Sequence, residues 1–576
     1  MCASQKMVQP NWISSNSVAV EKVGRSGLDI FCKQALACCF FMFAVLQCNG
    51  LAAANDSTPP PPRNPYMADS EWVMMHANGS GQGSTQWRGP SRGPEKLAKE
   101  HVSYIFTGRS STLIPVFSGP YADGLRVIWN GAVDRVIKQD ASTGRVIDQY
   151  LIEGVDPLSH EESETYLASL DAVTGDPTDI RQLIARASHF FAGTNPLRLN
   201  SHYHLIDTNN EFYVFTQPRT ISVFGDSDRG KPDSAIALKR EWTMPGEIGG
   251  ILFALNMTYD GTLIATSTDG HVLALSRDFS EFQSLRLPHA RDQGGNIMTA
   301  FLRNAQVIDP DGGIYITAGE FLYRVQWTGK KLSNETGDGA WTVAVPSEKR
   351  GHGSGTTPSL MGYGGDADKL LIIGDGSRRT NLLAVWRDRI PEDWSGIQDL
   401  PRRIAGSLPI TFGLQRDKVE LENSPNVAGY GVFIANVYPE RRPPAEELSR
   451  LEFSGVSGFT QNNPLYQKYG AEKIVWNPSS RTLESAWTRP DLPLTDAIPA
   501  ISESSGVVYG MGVRDGFWTL EALDWGTGEN LFSTKVSQSH RFNPFWSPVT
   551  IGPDNRIFYN GPHGTVCLDF SGVVAQ

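Results

Sequence analysis

The sequence predicts an all-β protein built as a β-propeller, with eight blades the expected count and seven the alternative. Three observations predict it. A strand–turn–strand unit recurs along the chain at a period near 50 residues. The 576 residues include 57 glycines and 36 prolines, a density that favours turns and argues against long helices or a coiled coil. The balance of 40% hydrophobic and 20% charged residues is that of an ordinary globular protein and excludes a mostly disordered chain.

The repeat is read from eight stretches. They are ADGLRVIWNGAVDRVIKQDASTG (122–144), NNEFYVFTQPRTISVFGD (209–226), DGTLIATSTDGHVLALS (260–276) and DGGIYITAGEFLYRVQ (311–326). They continue with ADKLLIIGDGSRRTNLLAVW (367–386), the more degenerate VAGYGVFIANVYPE (427–440), SGVVYGMGVRDGFWTLEALDWGTG (505–528) and DNRIFYNGPHGTVCLDFSG (554–572). Their first β runs begin at Val127, Phe212, Leu263, Ile314, Leu371, Val432, Val507 and Ile557, at intervals of 85, 51, 51, 57, 61, 75 and 50. Short strands joined by Gly/Asp turns at this period indicate four-stranded propeller blades. One small antiparallel sheet cannot bury both its faces, whereas blades stacked in a ring bury each other and leave few open edges.

The rest of the chain is accounted for in order. Residues 1–54 read as a secretory signal peptide. Lys22, Arg25 and Lys33 precede the apolar run Ala35–Leu46, and Leu-Ala-Ala-Ala follows at 51–54. Twelve apolar residues are too few to span a bilayer comfortably. Cys48 does not fit a lipid anchor, because Gln47 stands where a small residue is wanted. Residues 55–69 begin NDSTPPPPRNPY and read as a proline-rich, extended linker. The propeller domain is expected over 70–576. Within it, residues 156–192 carry helical periodicity and read as a helical insertion between the first two blades. The Pro-rich, charged stretches 387–420 and 439–475 read as surface loops.

Five of the six cysteines lie before residue 55. After cleavage one thiol remains, Cys567, between Val566 and Leu568. It reads as a buried strand residue, and a large core rather than disulfides must hold the mature chain. The formal charge of −11 gives no field that attracts nucleic acid.

The second β run ending in Asp-x-x-Thr-Gly, seen as IKQDASTG (137–144) and LEALDWGTGENLF (520–532), resembles the quinoprotein-like (PQQ-like) propeller repeat. SEWVMMHANGSGQGS (70–84) is similar to the Trp-x-Met start that precedes the first blade in that superfamily. The resemblance covers residues 70–574 at the level of repeat shape. It implies quinone-dependent alcohol dehydrogenases at one extreme and non-enzymatic scaffolds, such as an outer-membrane assembly lipoprotein, at the other. Fold does not decide between them. The dehydrogenases carry adjacent bridged cysteines beside the cofactor. The adjacent pair here, Cys38-Cys39, lies in the leader, which argues against pyrroloquinoline quinone held in that mode.

In a propeller the loops leading into the innermost strands converge on one mouth of the central channel, the default place for a ligand. These loops supply three readings. Glu247, Asn296, Asn426 and Asp496 form an oxygen set suited to Ca²⁺, which looks like the metal arrangement of lactonase-type propellers. His202, His352 and His540 are candidate general acid/base groups or metal ligands. The bland reading is that such polar residues at strand starts satisfy turn backbone. Arg291 is a candidate anion-binding cation, or the local partner of Asp292. Trp546, with Arg541, Phe542 and Phe545, is a candidate aromatic wall for a sugar or organic ring, or blade-to-blade packing. Four sequons occur, at Asn55, Asn78, Asn256 and Asn334. No Gly-x-Ser-x-Gly elbow, His-Glu-x-x-His, phosphate loop or dinucleotide fingerprint occurs. The expectation is a secreted or periplasmic monomer that binds a small molecule or protein at the channel mouth. The alternative is a metal- or quinone-dependent enzyme, an oxidoreductase or a hydrolase, with its site in the funnel.

Overall fold

Eight antiparallel sheets follow one another along the chain, each built from four consecutive short strands except the fourth, where Leu332–Ser333 and Trp341–Ala344 both pair with Phe321–Trp327, and the last. The structure, a computed structural model, describes residues 58–109, 114–173, 177–188, 203–292, 300–348, 353–365, 367–441 and 458–572. Blade 1 comprises Val116–Phe117, Val127–Gly131, Arg135–Asp140 and Val146–Leu151. The same order recurs through blade 7, whose strands are Ala500–Ser502, Val507–Arg514, Phe517–Asp524 and Asn530–Ser537. First strands of neighbouring blades lie side by side and so surround the axis. Blade 8 takes Thr550–Ile551, Arg556–Gly561 and Gly564–Asp569 from the C-terminal end and Val102–Phe106 from ahead of blade 1. Val102 stands opposite Leu568 and Phe106 opposite Gly564, so the ring is closed by strands from opposite ends of the chain.

All eight repeat anchors fall on the second strand of a blade. The reason is burial. Second strands are covered on both faces, so Leu263–Ser267 and Leu370–Gly374 are buried throughout and read as continuous apolar runs. Outer strands such as Phe282–Arg286 are mostly exposed and give a weaker pattern. The apolar clusters lie between blades, as where Ile264 and Val272 of blade 3 meet Ile316 and Val325 of blade 4. Cys567 is buried on the third strand of blade 8, and burial pushes its thiol up to about 12, which removes it as a nucleophile.

The helical insertion is present as His160–Asp171 and Pro177–Ser188, between blades 1 and 2. Ser159 and Glu162 form a reciprocal capping box at the first helix. Leu170, Ile180, Leu183 and Ile184 pack against Phe459, Tyr466 and Phe545, loop residues after the second strand of blade 6 and ahead of blade 8. Arg541 donates to both oxygens of Glu164 at 2.9 and 2.5 Å. An insertion that follows blade 1 is therefore fastened to blade 8, across the closure of the ring. The stretch 387–420 is more than a loop, because Ile404–Pro409 is the outer strand of blade 5. Its Pro401-Arg402-Arg403 lead-in and the Gly406, Ser407 and Pro409 within it hide the strand pattern.

The axis itself holds residues 67–85. Their carbonyls accept N–H groups from the innermost strands, blade by blade. Trp72 O takes Phe117, Val73 O takes Ile206 and Gly79 O takes Ile308, at 2.9, 3.1 and 2.8 Å. Ser80 O takes Leu360, Gln82 O takes Val427 and Gly83 O takes Ile501, at 2.9, 2.8 and 3.0 Å. Blade 3 joins through Asn256 Nδ2, which donates to Gly79 O at 3.0 Å. Ser84–Thr85 then pairs in parallel with the inner strand of blade 7. Inner-strand N–H groups that would need water or a ligand are thus satisfied by the chain's own backbone. The glycine-rich sequence Asn78-Gly-Ser-Gly-Gln-Gly follows from this close approach. Gly81 and Gly83 have φ of 71° and 63°, and a Cβ on Gly83 would stand 2.0 Å from Asn426 Nδ2.

Candidate functional site

The antiparallel order of each blade gives the axis two mouths. One receives the loops leading into the innermost strands. The other is bounded by the turns that leave them.

At the lead-in mouth, His202, Asn296 and His352 lie outside the described residues. Glu247 is exposed on the turn between blades 2 and 3, and Arg291 is also exposed. Asn426 is buried at the axis and donates to Pro499 O at 2.7 Å and Gly83 O at 3.4 Å. Asp496 is fully buried 3.4 Å from Lys468 Nζ, and its Oδ1 accepts from Gln461 Nε2 at 3.0 Å. Lys468 donates to Gln461 Oε1 at 3.0 Å, and Gln461 Nε2 also reaches Asn543 Oδ1 at 3.1 Å. Burial lowers the Lys468 pKa, and the charge of Asp496 opposes that shift. Trp546 joins this cluster, its backbone N–H donating to Asp496 Oδ1 at 3.3 Å, while its ring packs against the apolar cluster under the helices. Of the sequence candidates, the structure brings Asp496 and Trp546 together. Asn426 and Asp496 are each bonded to the protein itself, and Glu247 stands apart in solvent. Among the described residues no group of three His, Cys, Asp or Glu side chains is arranged to hold a metal.

His540 is buried, and its backbone N–H donates to Asp171 Oδ1 at 2.6 Å. Burial pushes its imidazole down to about 4, and does the same to His76 on the axis (about 4) and His563 (about 3). These rings fold in the neutral form. As pH falls below about 6.5, the unfolded chain takes up protons first, so stability is complete above that pH and declines towards pH 4. The melting temperature is expected to drop by several degrees between pH 7 and pH 5. A flat profile over that interval would mean that the rings are hydrated.

At the opposite mouth the structure forms a cavity of about 260 Å³. Residues 60–64 lie across it. Tyr259 OH, on the turn leaving the inner strand of blade 3, donates to Pro62 O at 2.8 Å, and Asn64 Nδ2 donates to Met257 O at 2.9 Å. Prolines hold this segment extended without internal hydrogen bonds, so it needs such anchors. Glu503 comes from the turn leaving the inner strand of blade 7, and its Oε1 accepts from Ser84 Oγ at 2.9 Å. Glu71 accepts from Gln86 N at 2.8 Å and Thr85 Oγ1 at 3.3 Å. Burial raises the Glu503 pKa, and the charge of Glu71 adds to it. The axial segment forms the inner wall, with Asn78, Gln82 and Ser84 among the lining residues. Sequence reasoning directed attention to the lead-in loops and missed this mouth. The one signal was the Gly-rich stretch 78–83, which reads as a plain lead-in until its carbonyls are seen meeting successive blades.

Fold and site together define an eight-bladed β-propeller whose axis is filled by its own N-terminal segment, with a polar cavity at the turn-side mouth. The chain is 30% identical over 511 residues to an uncharacterized protein of Archaeoglobus fulgidus, a match spanning 86% of this chain and 87% of that one, and it belongs to the same family. No protein-family profile matches the sequence. Among solved structures the chain is similar to a quinohemoprotein alcohol dehydrogenase of Pseudomonas putida HK5 (TM-score 0.45, 11% identity, 88% of this chain and 81% of that one). It is similar to the corresponding enzyme of Comamonas testosteroni (TM-score 0.44, 10% identity, 92% and 83%). It is also similar to BamB of Moraxella catarrhalis (TM-score 0.32, 10% identity, 62% and 92%).

Proposed function

We propose that this protein is an exported binding propeller that takes a small ligand, or a segment of a partner protein, at the turn-side mouth of its axis. The observation that carries this reading is the cavity between the proline-rich segment and the axial segment, where Glu71 and Gln82 of the axial segment meet Tyr259 of blade 3 and Glu503 of blade 7. Long-range convergence of polar groups on a concave space is what a recognition site requires. Rigid turns of a propeller hold such groups with little loss of entropy on binding. Export is supported by the leader pattern and by a mature chain whose single thiol is buried. No helix among the described residues is long and apolar enough to cross a membrane.

Native mass spectrometry of the protein purified from its own cells tests this. A bound mass present in the wild type should be lost in a Tyr259→Ala, Glu503→Gln double variant that keeps the wild-type melting curve. A bound mass retained by that variant would place the ligand elsewhere.

A further inference from the structure

The turn-side mouth already holds a peptide segment of distinct chemistry, the chain's own proline-rich residues. Four consecutive prolines, Pro59 to Pro62, bring no backbone N–H and leave their carbonyls free to accept. The mouth meets them with side chains. Tyr259 OH donates to Pro62 O at 2.8 Å. Pro59 touches Gly364, on the turn leaving the inner strand of blade 5, its Cδ 3.4 Å from the place a Cβ would take there. Asn64 Nδ2 donates to Met257 O and Thr258 O at 2.9 and 3.1 Å and fastens the segment to blade 3. The basic residue that follows the prolines, Arg63, pairs with Asp69 and stands 3.9 Å from Glu71 Oε1. Glu503 adds a second carboxylate to the lining of the same cavity.

The hold is loose. Pro59, Pro60 and Pro62 are exposed, and among the described residues no backbone–backbone hydrogen bond involves residues 58–63. The segment can therefore leave the mouth without breaking a sheet. From this seating we infer that the turn-side mouth is a docking groove for an extended, proline-rich segment of a partner protein, with a basic residue after its prolines, and that residues 59–64 occupy the groove in cis. The inference rests on the reading of this mouth as the binding site and names the class of its partner. The occupant follows from what is already seated. Proline-rich segments are preformed and lose little entropy when they dock on aromatic residues. Tyr259 supplies the ring and the donor, and Glu71 and Glu503 supply charge complementary to the basic residue. The cis segment competes at the high effective concentration of a tethered ligand, so it sets the level a partner must reach.

The test is calorimetric titration of a synthetic peptide of residues 55–66 into the purified protein. The variant Pro60→Gly, Pro61→Gly, Pro62→Gly, Asn64→Ala loosens the cis segment and touches no strand. It is expected to bind the peptide at least about tenfold more tightly than the wild type, a gain that misfolding cannot mimic. Adding Tyr259→Phe, which keeps the ring and removes the donor to Pro62 O, is expected to weaken that binding several-fold. The inference is overturned if the loosened variant binds no peptide at millimolar concentration. It is also overturned if wild type and loosened variant bind equally, or if Tyr259→Phe changes nothing. A concentration-dependent dimer of the wild type, lost in the loosened variant, would assign the groove to a second copy and overturn the partner. A mouth-dependent bound mass in native mass spectrometry together with no peptide binding would overturn the proline-rich class alone and leave the site assignment standing.

Discussion

Replacing Asp496 by alanine is expected to destabilise the protein by about 3–5 kcal/mol, read as a lowered urea midpoint. The Lys468 side chain is 1% exposed, and its partner Asp496 is 0% exposed. Without the carboxylate, a buried ammonium keeps the neutral acceptor Gln461 Oε1 but loses its counter-charge. Bringing a charge out of water without such a partner costs several kcal/mol. That is a large part of the 5–15 kcal/mol that typically separates folded from unfolded states. The double variant Lys468→Met, Asp496→Leu is expected to recover most of the loss, because removing both charges removes the unpaired one. A loss below about 1 kcal/mol would mean that water reaches the pair.

Gly83→Ala is expected to cost about 2–4 kcal/mol, with Gly506→Ala as its control. Both glycines have a φ of 63°. At Gly506 nothing lies within 4 Å of an added Cβ, so alanine there bears only the left-handed backbone penalty, about 1 kcal/mol. At Gly83 the added Cβ would overlap Asn426 Nδ2 at 2.0 Å. Asn426 has little room to yield, since the same nitrogen donates to Pro499 O at 2.7 Å. The difference between the two variants isolates the close approach of the axial segment to blade 6. Equal melting temperatures for the two would mean that residues 78–83 are not held against the inner strands.

The fold was legible because second strands are buried on both faces and leave apolar runs at a regular period, as at Leu263–Ser267. Outer strands were less legible, since half of their residues face water. Ile404–Pro409 disappeared for another reason: it follows Pro401 and two arginines and itself holds Gly406, Ser407 and Pro409, so no apolar run marks it. The site was barely legible. Glu71 and Glu503 are 432 positions apart in a sequence of 576 residues, and no local spacing joins them. Asp496 and Lys468 were equally hidden from each other. Asp496 was read as a loop oxygen, whereas Lys468 sits in a stretch read as surface loop. The glycine pattern of 78–83 carried the information about the axis, but its meaning lies in the four blades whose N–H groups meet the carbonyls of Gly79, Ser80, Gln82 and Gly83.

The central claim is that the chain's own N-terminal segment closes the axis. Hydrogen–deuterium exchange at Phe117, Ile206, Ile308, Leu360, Val427 and Ile501 tests it most directly, because each donates its amide to a carbonyl of that segment. The account predicts that all six exchange slowly and together, at the rate of the second-strand amides. Fast exchange at these six, with the second strands still protected, would show an open channel and would contradict it.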